Sequence, residues 1–290
     1  LGDPVGSYLS LSGLIDAICF EANDFSQLDA CIDKFYEFHD RWGSIDAPEI
    51  QLRITSAMLT AMVFRRSNFP EINVWEEKAW QLVRSIEDAT ATLQLFLGLL
   101  TLKIIFGDFS GAKNVLDRFR DATWIKKEPL PFLFFQNLHA CYSWSVGRFE
   151  EGLKFARNGM EVEKKTGIRI VNSALRIHAA CSAMGSGKMS LARKYFNQAA
   201  PMIKYQGNWN QVLYHCMRSW FELRSGNTKE ARFHAWTSYK KNEAAGCTLT
   251  MSMTHGALAV VLYENNEYTA AAEQLDMGFE WSRSFRNPVF

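Results

Sequence analysis

The chain has 290 residues, 48% of them apolar and 22% charged, with a net charge of +1. That balance excludes disordered, collagenous and linker-like classes and gives no overall case for nucleic-acid binding. The longest apolar run, around Leu93 to Phe106, is broken by Gln94 and Lys103 and is shorter than the ~20 residues a bilayer span needs, so no membrane segment is expected. Six cysteines, Cys19, Cys31, Cys141, Cys181, Cys216 and Cys247, are scattered without a C-x-x-C pair or a dense framework. Reduced thiols and a cytoplasmic setting are expected. Leu1 opens the chain without the basic and apolar regions of a signal peptide, so a fragment cut from a longer protein is the simpler expectation.

In chain order the helical pattern is cut by a recurring turn. It starts as Asn23-Asp24-Phe25-Ser26-Gln27-Leu28 and returns in looser form as Ser67-Asn68-Phe69-Pro70-Glu71. Regular copies begin at Gly107, Gly147, Gly187, Gly226 and Asn266, stepping by 40, 40, 39 and 40 positions. Between them lie a second set of breaks: Gly43 with Pro48, the stretch from Glu87 to Thr90, Pro129 with Pro131, then Gly167, Gly207, Gly246 and Asn287. Gly and Asn suit the left-handed residue that ends a helix, and Pro suits the first helical position. Two interleaved sets of breakers split each repeat into two helices. The whole chain is read as about seven helical hairpins, about fourteen helices, with a period of about 40 residues. One hairpin cannot bury both its apolar faces, so it must stack on the next. Gly185-Ser186-Gly187-Lys188 has the look of a phosphate loop, but Ser182 and Met189 stand where that motif needs Gly and Ser or Thr, and no strand precedes it.

Charge is unevenly spread. Residues 1 to 88 hold 15 Asp/Glu against 7 Lys/Arg, whereas 188 to 241 hold 2 against 10. Solvated helix faces or contact with a neighbouring domain explain such asymmetry better than a nucleic-acid groove.

The turn carries Gly, an aromatic two positions on and Ala three beyond, as in Gly107, Phe109 and Ala112, with a small residue seven positions before it at Ala140, Ala180, Ser219 and Ala259. In these residues the chain resembles a tetratricopeptide repeat (TPR) protein. Departures are Gly152 for Ala, Met189 and Thr228 for the aromatic, Asn266 for Gly and Leu100 at a small position. The lengthened repeat is similar to the sensor region of MalT-type regulators, the large ATP-binding members of the LuxR family. The resemblance implies an all-α, right-handed superhelix, a single solenoid domain over 1–290 that belongs to a longer bacterial transcriptional regulator. It further implies that first-helix positions thirteen, ten, six, three and two before the turn face a concave groove.

Those offsets place Phe134, Asn137, Cys141 and Trp144, then Ile177, Cys181 and Met184, then Leu213, Trp220 and Arg224, then Val260, Tyr263 and Glu264 in the groove. Asn137, Trp144, Trp220, Arg224 and Tyr263 are the candidate binding residues, Asn137 and Arg224 being polar where packing gives no reason for it. The expected partner is a protein segment or a small effector held in the groove, together with adjacent domains of the same polypeptide. A pure protein-protein scaffold is the alternative. No Ser-His-Asp or Cys-His arrangement suggests catalysis, and neither His139 with Cys141 nor His215 with Cys216 has metal-site spacing, so no enzyme activity, cofactor or metal is expected.

Overall fold

In the computed structural model, residues 2–85, 89–120 and 128–284 are described, and these form fourteen α-helices and no strand. They pair in order as α1 (Pro4–Glu21) with α2 (Gln27–Trp42), α3 (Pro48–Arg65) with α4 (Glu71–Ser85), α5 (Ala89–Ile105) with α6 (Phe109–Arg120), and α7 (Pro129–Ser145) with α8 (Phe149–Thr166). The last pairs are α9 (Asn172–Gly185) with α10 (Met189–Ile203), α11 (Asn208–Arg224) with α12 (Thr228–Ala245), and α13 (Met251–Glu264) with α14 (Tyr268–Ser284). A short 3-10 turn, Thr248–Thr250, precedes α13. The architecture is a right-handed superhelix of seven TPR-like hairpins, as the repeat implies. No helix among the described residues is long and apolar enough to cross a membrane.

Each regular turn ends its first helix on a left-handed residue. Gly107, Gly147, Gly187 and Gly226 have φ between 68° and 79°, and Asn266 has 63°. The backbone closes in the same way in four copies: Arg148 N donates to Ser143 O at 2.8 Å, Lys188 N to Ala183 O at 2.8 Å, Asn227 N to Glu222 O at 2.9 Å and Glu267 N to Leu262 O at 3.0 Å. This reach-back satisfies carbonyls that a helix end leaves orphaned. In the turn at Gly107, Asp108 Oδ1 also accepts from Gly111 N at 2.8 Å, capping α6.

The small residues do what the repeat requires. Ala140, Ala180 and Ser219 are fully covered, as are Ala112, Ala192 and Ala231. Gly152, which departs from Ala, has its own reason: a Cβ there would lie 2.5 Å from Ser182 Oγ. Among the inter-repeat breaks, Gly167 and Gly246 are left-handed as expected, with φ of 76° and 56°. Gly207 is not. Its φ of −56° and ψ of 159° are open to any residue, so the helix-ending role read from sequence is wrong for it. Glu87, Asp88 and Asn287 lie outside the described residues.

The first helices form an inner rail, α1 on α3, α3 on α5, α5 on α7, and so on through α9 and α11 to α13, with the second helices outside. The rail curves until its start meets a later part of the chain. Phe25 N donates to Ala245 O at 2.8 Å and Trp209 N to Ala22 O at 3.0 Å. Thr248 Oγ1 donates to Phe64 O at 3.0 Å. One apolar core accordingly runs through the first three hairpins and takes in Ala245, Cys247 and Leu249 from the far end. The superhelix thereby touches itself along its length.

Because the recurring turn needs a left-handed residue but leaves open space around its Cα, Gly147→Ala should lower stability by about 1–2 kcal/mol through backbone strain alone. Gly147→Asn should cost clearly less, and urea denaturation of the two variants checks the order.

Candidate functional site: a cavity inside the ring

The inner rail encloses a cavity of about 280 Å³. Its wall is a stripe at helical spacing repeated from helix to helix: Asp16, Cys19 and Phe20 from α1, Ser56, Thr60 and Val63 from α3, Gln94, Leu97, Gly98 and Thr101 from α5, and Phe134, Asn137 and Leu138 from α7. The start of α9 adds Ser173 and Ala174, the α10–α11 connection adds Gln206, and the start of α11 adds Trp209 and Asn210. Phe20 and Ile170 belong to this wall and are 62% and 48% exposed, giving the cavity an apolar rim open to solvent.

Polar groups are few and specific. Arg53 pairs with Asp16 Oδ2 at 2.7 Å, and Gln94 Nε2 donates to the same oxygen at 3.2 Å. Burial nevertheless raises the Asp16 carboxyl above its ordinary pKa, outweighing the Arg53 charge and the Gln94 bond. Ser173 Oγ donates to Gln206 Oε1 at 2.8 Å. Three buried atoms have no partner among the described residues: Gln94 Oε1 and Asn137 Oδ1, both acceptors, and Trp209 Nε1, a donor. Such groups are costly in a fold that satisfies nearly all its buried polar atoms.

Of the five candidate residues, only Asn137 lines this cavity. Trp144 lies nearer the end of α7, half-buried, where its Nε1 donates to His178 Nδ1 at 3.0 Å. Trp220 is half-buried and hydrogen-bonds the Cys216 thiol. Arg224 is exposed at the end of α11, its Nη1 donating to Met184 O at 3.2 Å, so it has a structural partner the sequence did not disclose. Tyr263 is 60% exposed and sits edge-on to Tyr268 at 5.3 Å. Ile177 and Cys181, also expected in the groove, are instead buried in the core of the middle hairpins, because neighbouring helices cover that part of α9. The missed residues divide in two. Gln94, Leu97 and Thr101 stand thirteen, ten and six positions before Gly107, so the same offsets applied one repeat earlier identify them. Trp209 and Gln206 carry no periodic signal, since ring closure brings them to the wall.

Four histidines are held neutral. Burial depresses His139 and His178 to about 4. His215 and His234, with their Nδ1 atoms 2.8 Å apart, are likewise depressed to about 4, mainly by burial. No cluster of three metal-ligating side chains occurs among the described residues.

A ring of stacked helical hairpins with a lined interior is a TPR-type superhelix. The sequence matches no family model and no curated protein. Among solved structures it is similar to a Rap protein complexed with Competence and Sporulation Factor, with 12% identity and a TM-score of 0.68 over 97% of this chain and 77% of that one. It is also similar to NprR in complex with its cognate peptide NprX, with 14% identity and a TM-score of 0.58 over 94% of this chain and 79% of that one. At such identities the likeness establishes the fold.

The depressed histidines set a pH dependence. Below pH 6.5 the unfolded chain binds protons that the folded chain refuses until about pH 4, so stability should fall as pH drops through that window. Urea midpoints at pH 7 and pH 5 check this, and His139→Phe, which removes a ring with both nitrogens unpartnered, should flatten the slope.

Proposed function

We propose that the chain is a non-catalytic receptor that binds an extended peptide segment in its central cavity. The observation that carries this reading is a largely apolar wall into which three amide side chains, Gln94, Asn137 and Asn210, are set. A side-chain amide both donates and accepts, as a peptide group does, so the two pair reciprocally. A cavity of about 280 Å³ is at the small end of ligand sites, so it suits the anchoring residues of a segment whose remainder runs out over the Phe20 and Ile170 rim. Two proteins of similar fold were solved with a peptide or factor bound, which supports the same use here.

Beyond the cavity, Trp144, Trp220, Arg224 and Tyr263 are proposed to extend the contact along the inner rail for a longer partner. The resemblance to MalT-type sensors supports a further step: the chain acts as the signal-receiving part of a longer cytoplasmic bacterial transcriptional regulator, its occupancy biasing attached domains by differential affinity for two states. A scaffold that grips a partner segment without a signalling output is the second reading, favoured by the exposed apolar rim.

Binding of a pooled library of uncharged hexapeptides, read by fluorescence anisotropy, tests the proposal. Asn137→Ala should weaken binding about tenfold or more, the scale of one lost buried hydrogen bond at 1.4 kcal/mol per decade. Arg224→Ala should weaken it only modestly. No peptide binding, together with a metabolite that raises the melting temperature of the wild type and not of Asn137→Ala, would replace the peptide by a small effector.

A further inference from the structure

We propose that the meeting of the first turn with the sixth and seventh hairpins is a latch, which opens the ring and dismantles the cavity when released and which an occupant of the cavity holds shut. The occupant's part in this rests on the peptide reading above; the latch itself does not.

The junction is built from four separate stretches of chain, three of which supply an aromatic triad. Phe25, in the turn after α1, stacks on Phe64 at the end of α3 with ring centroids 4.4 Å apart and planes 5° from parallel. Trp209, at the start of α11, closes edge-on against both, at 6.4 Å from Phe25 and 5.3 Å from Phe64. Around this triad the bonds are local and few. Besides those from Phe25 N, Trp209 N and Thr248 Oγ1, Asn208 Nδ2 donates to Asn23 O at 3.1 Å. The Arg65 guanidinium holds Asp29 on one side and the Gly246 carbonyl on the other.

One backbone feature belongs to the junction and to nothing else in the repeat. Gly207 has an unstrained conformation, yet a Cβ on it would lie 2.2 Å from Glu21 O and 2.4 Å from Ala22 O. Its glycine is needed for the close approach of the two stretches, where the Ala22 carbonyl receives Trp209 N.

The coupling follows from where the wall lies. Asp16, Phe20 and Val63 stand on one side of the junction, Gln206, Trp209 and Asn210 on the other, and Phe64 and Trp209 serve in the latch and the wall alike. A ligand touching both sides binds the closed ring better than the open one, and that difference is what shifts the equilibrium toward closure.

Cys247 reports on the latch without any ligand. It is 1% exposed at the junction, its thiol pushed up to about 11 mainly by burial, whereas Cys181 is 3% exposed in the separate core of the middle hairpins. Alkylation by N-ethylmaleimide, mapped by mass spectrometry on the full chain, should be slow at both in the wild type. Gly207→Val, which forces the ends apart, and Arg65→Met, which removes the clamp without adding bulk, should each speed Cys247 by about tenfold or more while leaving Cys181 unchanged. Equal acceleration of both cysteines in both variants, or of neither, overturns the latch. With the hexapeptide pool bound, Cys247 in the wild type should slow, and both variants should bind the pool about tenfold more weakly. A pool that binds wild type and variants alike overturns the coupling; a pool that binds none of them removes the peptide reading, and the alkylation rates then decide the latch alone.

Discussion

The structure depends on helices that must bury two faces at once. Along α5, Leu95, Phe96, Leu99, Leu100 and Leu102 are all covered, and α3 is covered over nearly its whole length from Leu52 to Phe64. Such helices are apolar all round and stable only as an inner layer between neighbours. The second helices are amphipathic instead: α6 buries Ala112, Val115, Leu116 and Phe119 and turns Lys113, Asn114 and Arg120 outward. An inner rail of doubly covered helices leaves one narrow stripe per helix facing inward. Those stripes are the cavity.

Much of this was legible in the sequence because the repeat writes it down. The left-handed Gly at each turn, the small residue seven positions earlier and the alternation of breakers specify the hairpin and its stacking without any long-range information. The site was legible only in part. Asn137 was identified from its offset, and Gln94, Leu97 and Thr101 follow from the same offset one repeat earlier. Arg224 shows the limit of that reasoning, since a polar side chain facing a groove can be satisfied by a carbonyl of the adjacent helix, here that of Met184. Trp209 and Gln206 could not be read from periodicity at all. They reach the wall through curvature, a sum of small rotations between hairpins that no single repeat encodes.

Gly207 makes the same point from the backbone. As one breaker in a regular series it looks like a helix stop, whereas its ordinary φ and ψ and the crowding at its Cα identify it as the site of closest approach between the two ends of the ring.

The most direct measurement is a structure of the protein with a bound hexapeptide selected from the uncharged pool. The account predicts the peptide between α3, α5 and α7, with its backbone paired to the side-chain amides of Gln94 and Asn137. A peptide lying on the outer second helices, away from both amides, would contradict it.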